Sequence, residues 1–356
     1  MGSVVFLPTS KTISYWWNLG SLLGLFFGVQ LVSGVLLVFY YSTDFGFDSV
    51  QYIMYDVNWG WLMRLIHFNG ASFFFFFMYL HLFKGLFMMS YRLYFVWFVG
   101  VFMIFLFMAV GFMGYVLVYS QMSFWAAVVI TSLLTIFPFI GEYLVYFIWG
   151  GFSVIGLTVK FFFVFHFLLP WAGVGLVMLH LLFLHYSGSS SILYCHGDYD
   201  KIAFFPYFWF KDVLGFVMLV VMVGFIFSFP FILGESEMFV EHNPLASPIH
   251  IAPEWYFLFA YAILRAIPNK VVGVVGMMVS IFMLLTLIFC KNVIGGKVVK
   301  FLGFVLLFSC VMLTWLGVNA PEVPYLFLGQ CFTFFFFFFF FLMFFYSCCV
   351  GFLFVS

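Results

Sequence analysis

Apolar residues in this chain collect in long runs separated by short polar breaks. Runs long enough to cross a hydrocarbon core of about 30 Å lie near 18–40, 61–89, 95–118, 160–186, 213–233, 271–290, 301–318 and 326–355, here called windows A to H. A ninth apolar stretch, 123–152, is interrupted by Pro138 and by Gly141 and Glu142, so it is either another span or two interfacial helices. The cations decide, because Lys and Arg gather on one side of a membrane. With eight spans, Lys11, Lys84, Arg92, Lys201, Lys211, Lys291, Lys297 and Lys300 share the side of the N-terminus, and Arg64, Lys160, Arg265 and Lys270 lie opposite, eight against four. A ninth span flips every later loop and levels the split at six each. The pattern therefore predicts an all-α transmembrane protein of eight spans, with interfacial helices in the C–D and E–F loops. Nine of the twelve acidic residues fall on the less basic side, as the same topology requires.

Composition narrows the class. The 356 residues are 67% hydrophobic and 7% charged, with mean hydropathy +1.24, far from a soluble globular chain. Twelve basic and twelve acidic residues cancel, which leaves no basic surface for nucleic acid. The start MGSVVFLPTSKT has neither the pattern of a signal peptide nor that of a transit peptide, and the mature chain is expected to begin there. Six cysteines (Cys195, Cys290, Cys310, Cys331, Cys348, Cys349) show no paired metal spacing and no CxxCH, and read as apolar filler. Phe is very common at 62 residues, with an unbroken run over 334–341. We read this as the codon bias of a T- and G-rich organelle genome, and the run as lipid-facing or packing surface.

The candidate chemistry is histidine. The stretch RLIHFNGASFFFFFMYLHLFKG in window B carries His67 and His81, and window D repeats the fourteen-residue spacing with His166 and His180. Fourteen helical residues are close to four turns, so each pair lies on one helix face, roughly 21 Å apart along the axis. Windows B and D run in the same direction, which sets His67 level with His166 and His81 level with His180. A lone histidine on an apolar face is ordinarily a core residue with a satisfied ring, but two equal spacings on parallel spans point to ligands. Neutral imidazole is a good axial ligand for haem iron, and two imidazoles on one iron leave no open position, which suits electron transfer. Gly20 and Gly34 in window A, and Gly100 and Gly114 in window C, repeat the spacing; glycine lets a flat ring approach a helix backbone.

These residues carry a resemblance. WWNLGSLLG at 16–24, RLIHFNGAS, GYVLVYSQMSFW, WGGFSV, HLLFLHYSGS and PEWYFLFAYAILRAIPNK at 253–270 make the chain similar to cytochrome b of the respiratory bc1 complex. The fourteen-residue gap in window D resembles the bc1 type rather than the split b6f type. The resemblance implies a di-haem four-helix bundle domain over 1–210 and a C-terminal transmembrane domain over 211–356. It implies a low-potential haem b on His67 and His166 near the acidic side and a high-potential haem b on His81 and His180 near the basic side, with Arg64 and Lys84 as propionate partners. A quinol-oxidising site is implied at Glu254, with Tyr115, Phe112 and Tyr261 lining it. A quinone-reducing site is implied at His185, Lys211 and Asp212, with Ser189, Asn18 and Ser21 nearby. Its partners are then a Rieske iron–sulfur protein, cytochrome c1, accessory subunits, lipids and a second copy of the complex, in the mitochondrial inner membrane rather than a bacterial plasma membrane. Relatives commonly read LPWGQMSFWGA where this chain has LVYSQMSFWAA at 117–127. The helix-C end therefore lacks the usual proline, and Ala126 stands where glycine admits strobilurin-type inhibitors. Phe205 replaces a histidine of many relatives at the reducing site.

The function expected is that of a quinol:cytochrome c oxidoreductase redox subunit working by a Q cycle. Two rivals make different demands. An ion-coupled transporter using histidines as a proton relay calls for broken helices and a midplane carboxylate, and the windows carry almost no acids. A structural di-haem anchor has no use for Glu254, Lys211 and Asp212 together.

Overall fold

A chain in hydrocarbon must satisfy its backbone hydrogen bonds internally, and the apolar windows do so as helices. The computed structural model describes residues 7–190, 200–248, 250–290 and 296–353, with side chains to 348. Lys291 and Cys195 lie outside the described residues, as does the side chain of Cys349. The helices are α1 (Leu19–Val38), α2 (Gly46–Tyr55), α3 (Gly60–Phe87), α4 (Tyr94–Val116), α5 (Gln121–Ser132), α6 (Gly141–Trp149), α7 (Gly156–Ser187), α8 (Tyr207–Ser228), α9 (Leu258–Ala266), α10 (Lys270–Phe282), α11 (Gly296–Val318) and α12 (Tyr325–Leu353). Eight are long and apolar enough to span a membrane, α10 with the help of a 3-10 extension to Phe289. They correspond in order to windows A to H: α1, α3, α4, α7, α8, α10, α11 and α12.

The broken stretch 123–152 forms two short helices, not a span. Phe137 leaves the helical region, Phe139 turns left-handed at φ 68°, and Gly150 ends α6 at φ 71°. The Trp149 indole donates to Thr131 Oγ1 at 2.7 Å and Thr158 Oγ1 donates to the Trp149 carbonyl at 2.8 Å, folding the pair against the start of α7. The E–F connection carries α9. Window E is displaced: α8 starts six residues before the apolar run because Pro206 occupies its N-cap, and stops at Ser228 because Pro230 cannot continue a helix.

Two large cores organise the bundle. One joins α1, α3, α4 and α8 through Phe26, Phe75, Phe77, Ile104 and Met222. The other joins the end of α3 to α9, α11 and α12 through Phe83, Ile263, Leu313 and Phe340. Helix α3 is the most enclosed span and α7 the most open. Near the N-terminus, β1 (Pro8–Ser10) pairs antiparallel with β2 (Lys201–Ala203), so the segment before α1 is tied to the one before α8.

This topology puts Phe139 and Leu245, each 95% exposed, on one side and Tyr186, 89% exposed, on the other. In sealed membrane vesicles, a membrane-impermeant maleimide should label Phe139→Cys and Leu245→Cys from one face and Tyr186→Cys only from the opposite face. Labelling of all three from one face would require an even number of spans between Phe139 and Tyr186 and between Tyr186 and Leu245, where this topology has one each.

Candidate functional site

Two imidazole pairs face each other across the first four spans. The His67 and His166 ring centroids are 6.2 Å apart at 86°, and those of His81 and His180 are 6.4 Å apart at 62°. Helical phase explains this: fourteen residues return each span to the same face, so α3 and α7 present both pairs inward. The glycines back the rings. A Cβ built on Gly34 would lie 3.1 Å from His67 Cε1, one on Gly114 2.4 Å from His166 Cε1, one on Gly100 3.2 Å from His180 Cε1 and one on Gly20 3.6 Å from His81 Cε1.

Hydrogen bonds set the tautomers at one level. His166 Nδ1 donates to the Val110 carbonyl at 2.8 Å, since a carbonyl can only accept. The Ser33 hydroxyl donates to the Val29 carbonyl at 2.7 Å and therefore accepts from His67 Nδ1, 3.0 Å away. Both rings thus keep a lone pair on Nε2, the form that ligates metal. With its amide oriented to satisfy both partners, Gln30 donates to the His67 carbonyl and accepts from Ala71 N–H, each at 3.1 Å. At the other level, His81 Nδ1 has no hydrogen-bond partner among the described residues. Sequence reasoning missed Ser33 and Gln30; two polar residues in the middle of the apolar α1 were the available signal.

A cavity of about 230 Å³ runs from the His67–His166 pair to the acidic side, and its walls include Gly34, Arg64, Gly114, Tyr115 and Glu254. The Glu254 carboxyl is pushed up to about 7, chiefly by burial and further by the charge of Glu235, with Arg64 opposing. It is therefore poised to gain and lose a proton near neutrality. Arg64 holds its guanidinium 5.2 Å over the Phe68 ring. The Tyr115 hydroxyl is buried with no partner among the described residues. Three expected lining residues stand apart from these walls. Phe112 packs edge-on against Phe162. Tyr261 donates to the Ile251 carbonyl at 3.1 Å under the Arg265 guanidinium. Ala126 is 6% exposed within α5.

The altered end of α4 is locked to the E–F loop. Tyr119 takes φ 51°, Ser120 bridges Glu241, and Gln121 N–H donates to the Val240 carbonyl at 2.8 Å. The Gln121 side chain accepts from Asn243 N–H at 2.6 Å and donates to the Ala246 carbonyl at 2.5 Å. His242 lies on the Tyr119 and Phe124 rings, 4.1 and 5.0 Å between centroids.

On the basic side, Asp212 accepts from Asn18 Nδ2 at 2.8 Å and from Ser21 Oγ at 2.6 Å. Lys211 donates to the Ile13 carbonyl at 2.9 Å. Trp17 donates to the Ser190 carbonyl at 2.9 Å, which brings the neighbourhood of Ser189 to the start of α1. Lys84 stands 4.1 Å over the Trp17 ring. His185 is exposed near the end of α7, and no described contact joins it to Asp212. Phe205 packs edge-on against Trp209.

Eight spans, opposed imidazoles and a titratable carboxylate at one end define an integral membrane protein of the redox type. Two family profiles match the chain: Cytochrome b/b6/petB over residues 4–188 and Cytochrome b(C-terminal)/b6/petD over 241–337. Cytochrome b of Caenorhabditis briggsae is 53% identical over 336 residues, 93% of this chain and 91% of that one; cytochrome b of Caenorhabditis elegans is 52% identical over 337, 94% and 91% respectively. A chain of a hyperthermophilic respiratory complex III superposes with TM-score 0.89 at 28% identity, covering 97% of this chain and 94% of that one. The chain belongs to the cytochrome b family: it is a multi-pass, haem b-binding redox subunit of the bc1 complex, the quinol–cytochrome c reductase that it forms with other subunits.

The glycine distances rank the tolerance of the four positions. Gly114→Ala should cost the haem b absorbance that depends on the His67–His166 pair, because its methyl group meets His166 at 2.4 Å, and Gly20→Ala, at 3.6 Å, should cost little. Reduced-minus-oxidised spectra check the order; equal losses would deny the glycines a steric role.

Proposed function

We propose that His67 and His166 hold a low-potential haem b, that His81 and His180 hold a high-potential haem b, and that quinol is oxidised beside Glu254. The observation that carries the reading is the single cavity joining the His67–His166 pair to Glu254. The imidazole pairs fit the group. A metal–imidazole nitrogen bond is about 2 Å, which puts two rings on opposite sides of one metal roughly 6 Å apart between centroids, and the pairs stand at 6.2 and 6.4 Å. The haems, when bound, supply a one-electron path across the bilayer.

The chain's own residues supply orientation and proton chemistry. Ser33 and the Val110 carbonyl fix the His67 and His166 rings, Gly20, Gly34, Gly100 and Gly114 leave room for a flat group, and Arg64 and Lys84 are placed to pair with its carboxylates. Glu254 takes a proton from the quinol hydroxyl and passes it towards water on the acidic side, with Tyr115 in the cavity wall and Phe112 and Tyr261 supporting the loop and helix around it. On the basic side, Asp212, Lys211 and His185 deliver protons to reduced quinone, with Asn18, Ser21 and Ser189 shaping the site. Net proton translocation by a Q cycle follows from quinol oxidation and quinone reduction on opposite faces. One-electron acceptance from quinol belongs to a Rieske iron–sulfur partner, with cytochrome c1 beyond it, in a dimeric complex with accessory subunits and lipids in the mitochondrial inner membrane. The division into a haem-holding bundle over 1–210 and a C-terminal domain over 211–356 is part of this reading.

The direct test is His81→Ala. The purified complex should keep one b haem signal and lose the other, and quinone reduction on the basic side should stop; two full b haem signals would refute the ligand assignment. Glu254→Gln should slow quinol oxidation by about 10²- to 10⁴-fold, the usual size of a general-base term. The sign of its pH dependence follows from the raised pKa: the ionised acceptor grows in as pH rises through about 7, so wild-type turnover should climb there and the variant profile should be flat. A steady-state pH series checks both. Finally, Ala126 lies outside the cavity wall, and a strobilurin-type inhibitor that reaches past that wall to α5 would meet its methyl, overpacking of a kind that costs about 1–3 kcal/mol, roughly five- to hundredfold in affinity. Titration of Ala126→Gly should show that gain in sensitivity, with quinol turnover little changed.

A further inference from the structure

Two cysteines far apart in sequence meet on the basic side. Cys290 closes the 3-10 extension of the α10 span, Cys348 lies in the last turns of α12, and their sulfurs are 2.7 Å apart across a separation of 58 residues. Cys290 is fully buried and Cys348 partly exposed. The corner they share is fixed from both flanks. Tyr91 and Ser347 hydrogen-bond at 2.9 Å, and the Trp97 indole donates to the Leu284 carbonyl at 2.8 Å. Two thiols whose sulfurs stand this close on separate helix ends are within reach of a disulfide. The described residues group no three or more His, Cys, Asp or Glu side chains as a metal site.

We propose that Cys290 and Cys348 are a hydroperoxide-reactive dithiol that closes to a disulfide, fastening the end of the α10 span to α12. Cys348, the accessible sulfur, reacts first, attacking the terminal oxygen of the hydroperoxide. Its S–H bond and the O–O bond break, the sulfur takes hydroxyl as a sulfenic acid, and the rest of the hydroperoxide leaves as alcohol or water. Cys290 then displaces that hydroxyl as water and the S–S bond forms. The two sulfurs together lose two electrons, the hydroperoxide gains them, and the two thiol protons end in the released alcohol and water. Thiol exchange from the basic side reverses the step.

The test uses the intact purified complex, treated separately with hydrogen peroxide and with cumene hydroperoxide. It is then denatured with N-ethylmaleimide and digested without reductant for mass spectrometry. The expected result is a linked peptide pair, two hydrogens lighter than the separate thiols, with Cys290 and Cys348 losing their maleimide adducts together while Cys310 and Cys331 keep theirs. Faster linkage by cumene hydroperoxide places the oxidant in the lipid, and faster linkage by hydrogen peroxide places it in water. Cys349→Ser should keep the link. Cys290→Ser should leave a dimedone-trappable sulfenic acid on Cys348. The proposal is overturned if both cysteines carry full maleimide after either oxidant, or if the link survives Cys348→Ser, or if it is lost in Cys349→Ser. The wild-type measurement decides even where a variant fails to assemble.

Discussion

Two imidazoles facing each other at about the span of one metal ion, inside hydrocarbon, constrain everything around them. Each ring must come from a different helix, so α3 and α7 must run the same way and stay in register over four turns. Each ring must also show one nitrogen to the gap and satisfy the other, because an unpaired polar group in an apolar medium costs free energy. At the His67–His166 level a serine and a backbone carbonyl meet that need. Glycines on α1 and α4 set the wall distance behind the rings. A larger residue at Gly114 has no place to go.

Elsewhere the few buried polar side chains act as joints between spans. Asn69 donates to the Leu65 carbonyl in its own helix and to the Pro230 carbonyl just past α8, so it ties α3 to the point where a proline stops the neighbouring span. Arg265 reaches three carbonyls, of Leu316, Gly317 and Asn319, at 2.9–3.0 Å, and absorbs the orphan acceptors at the end of α11. Gly317 packs so closely on α9 that a Cβ there would lie 2.6 Å from the Leu258 carbonyl. The short helix after Glu254 is thereby held from behind, and the cavity wall it leads from inherits that rigidity.

Much of this was legible in the sequence because helices in a membrane obey two simple periodicities, span length and 3.6 residues per turn. Apart from the displaced window E, window limits came within a few residues of the spans, and the charge split separated eight spans from nine. The facing of His67 with His166 and of His81 with His180 follows from the repeated spacing alone. What the sequence does not reveal is loop closure. No period announces that Gln121 will clasp residues 240–246, or that His242 will lie on Tyr119. Side-chain direction at helix ends is equally hidden, so Phe112, Tyr261 and Ala126 were expected along a cavity whose wall they do not form, and His185 was grouped with an aspartate to which no described contact joins it. The cysteines read as filler for the same reason: Cys290 and Cys348 meet only because two spans end at the same depth.

Pro170 sits inside α7, one turn after His166. A proline has no N–H, so the carbonyl four residues earlier, that of His166 itself, loses its helical donor. The rod that carries both imidazoles is therefore softest at the turn bearing one of them. His180 rides on an unbroken helical stretch, and His166 rides on a joint. Small bending of α7 is then absorbed at the acidic-side pair and leaves the basic-side pair undisturbed, so the two levels can respond separately to what binds beside them.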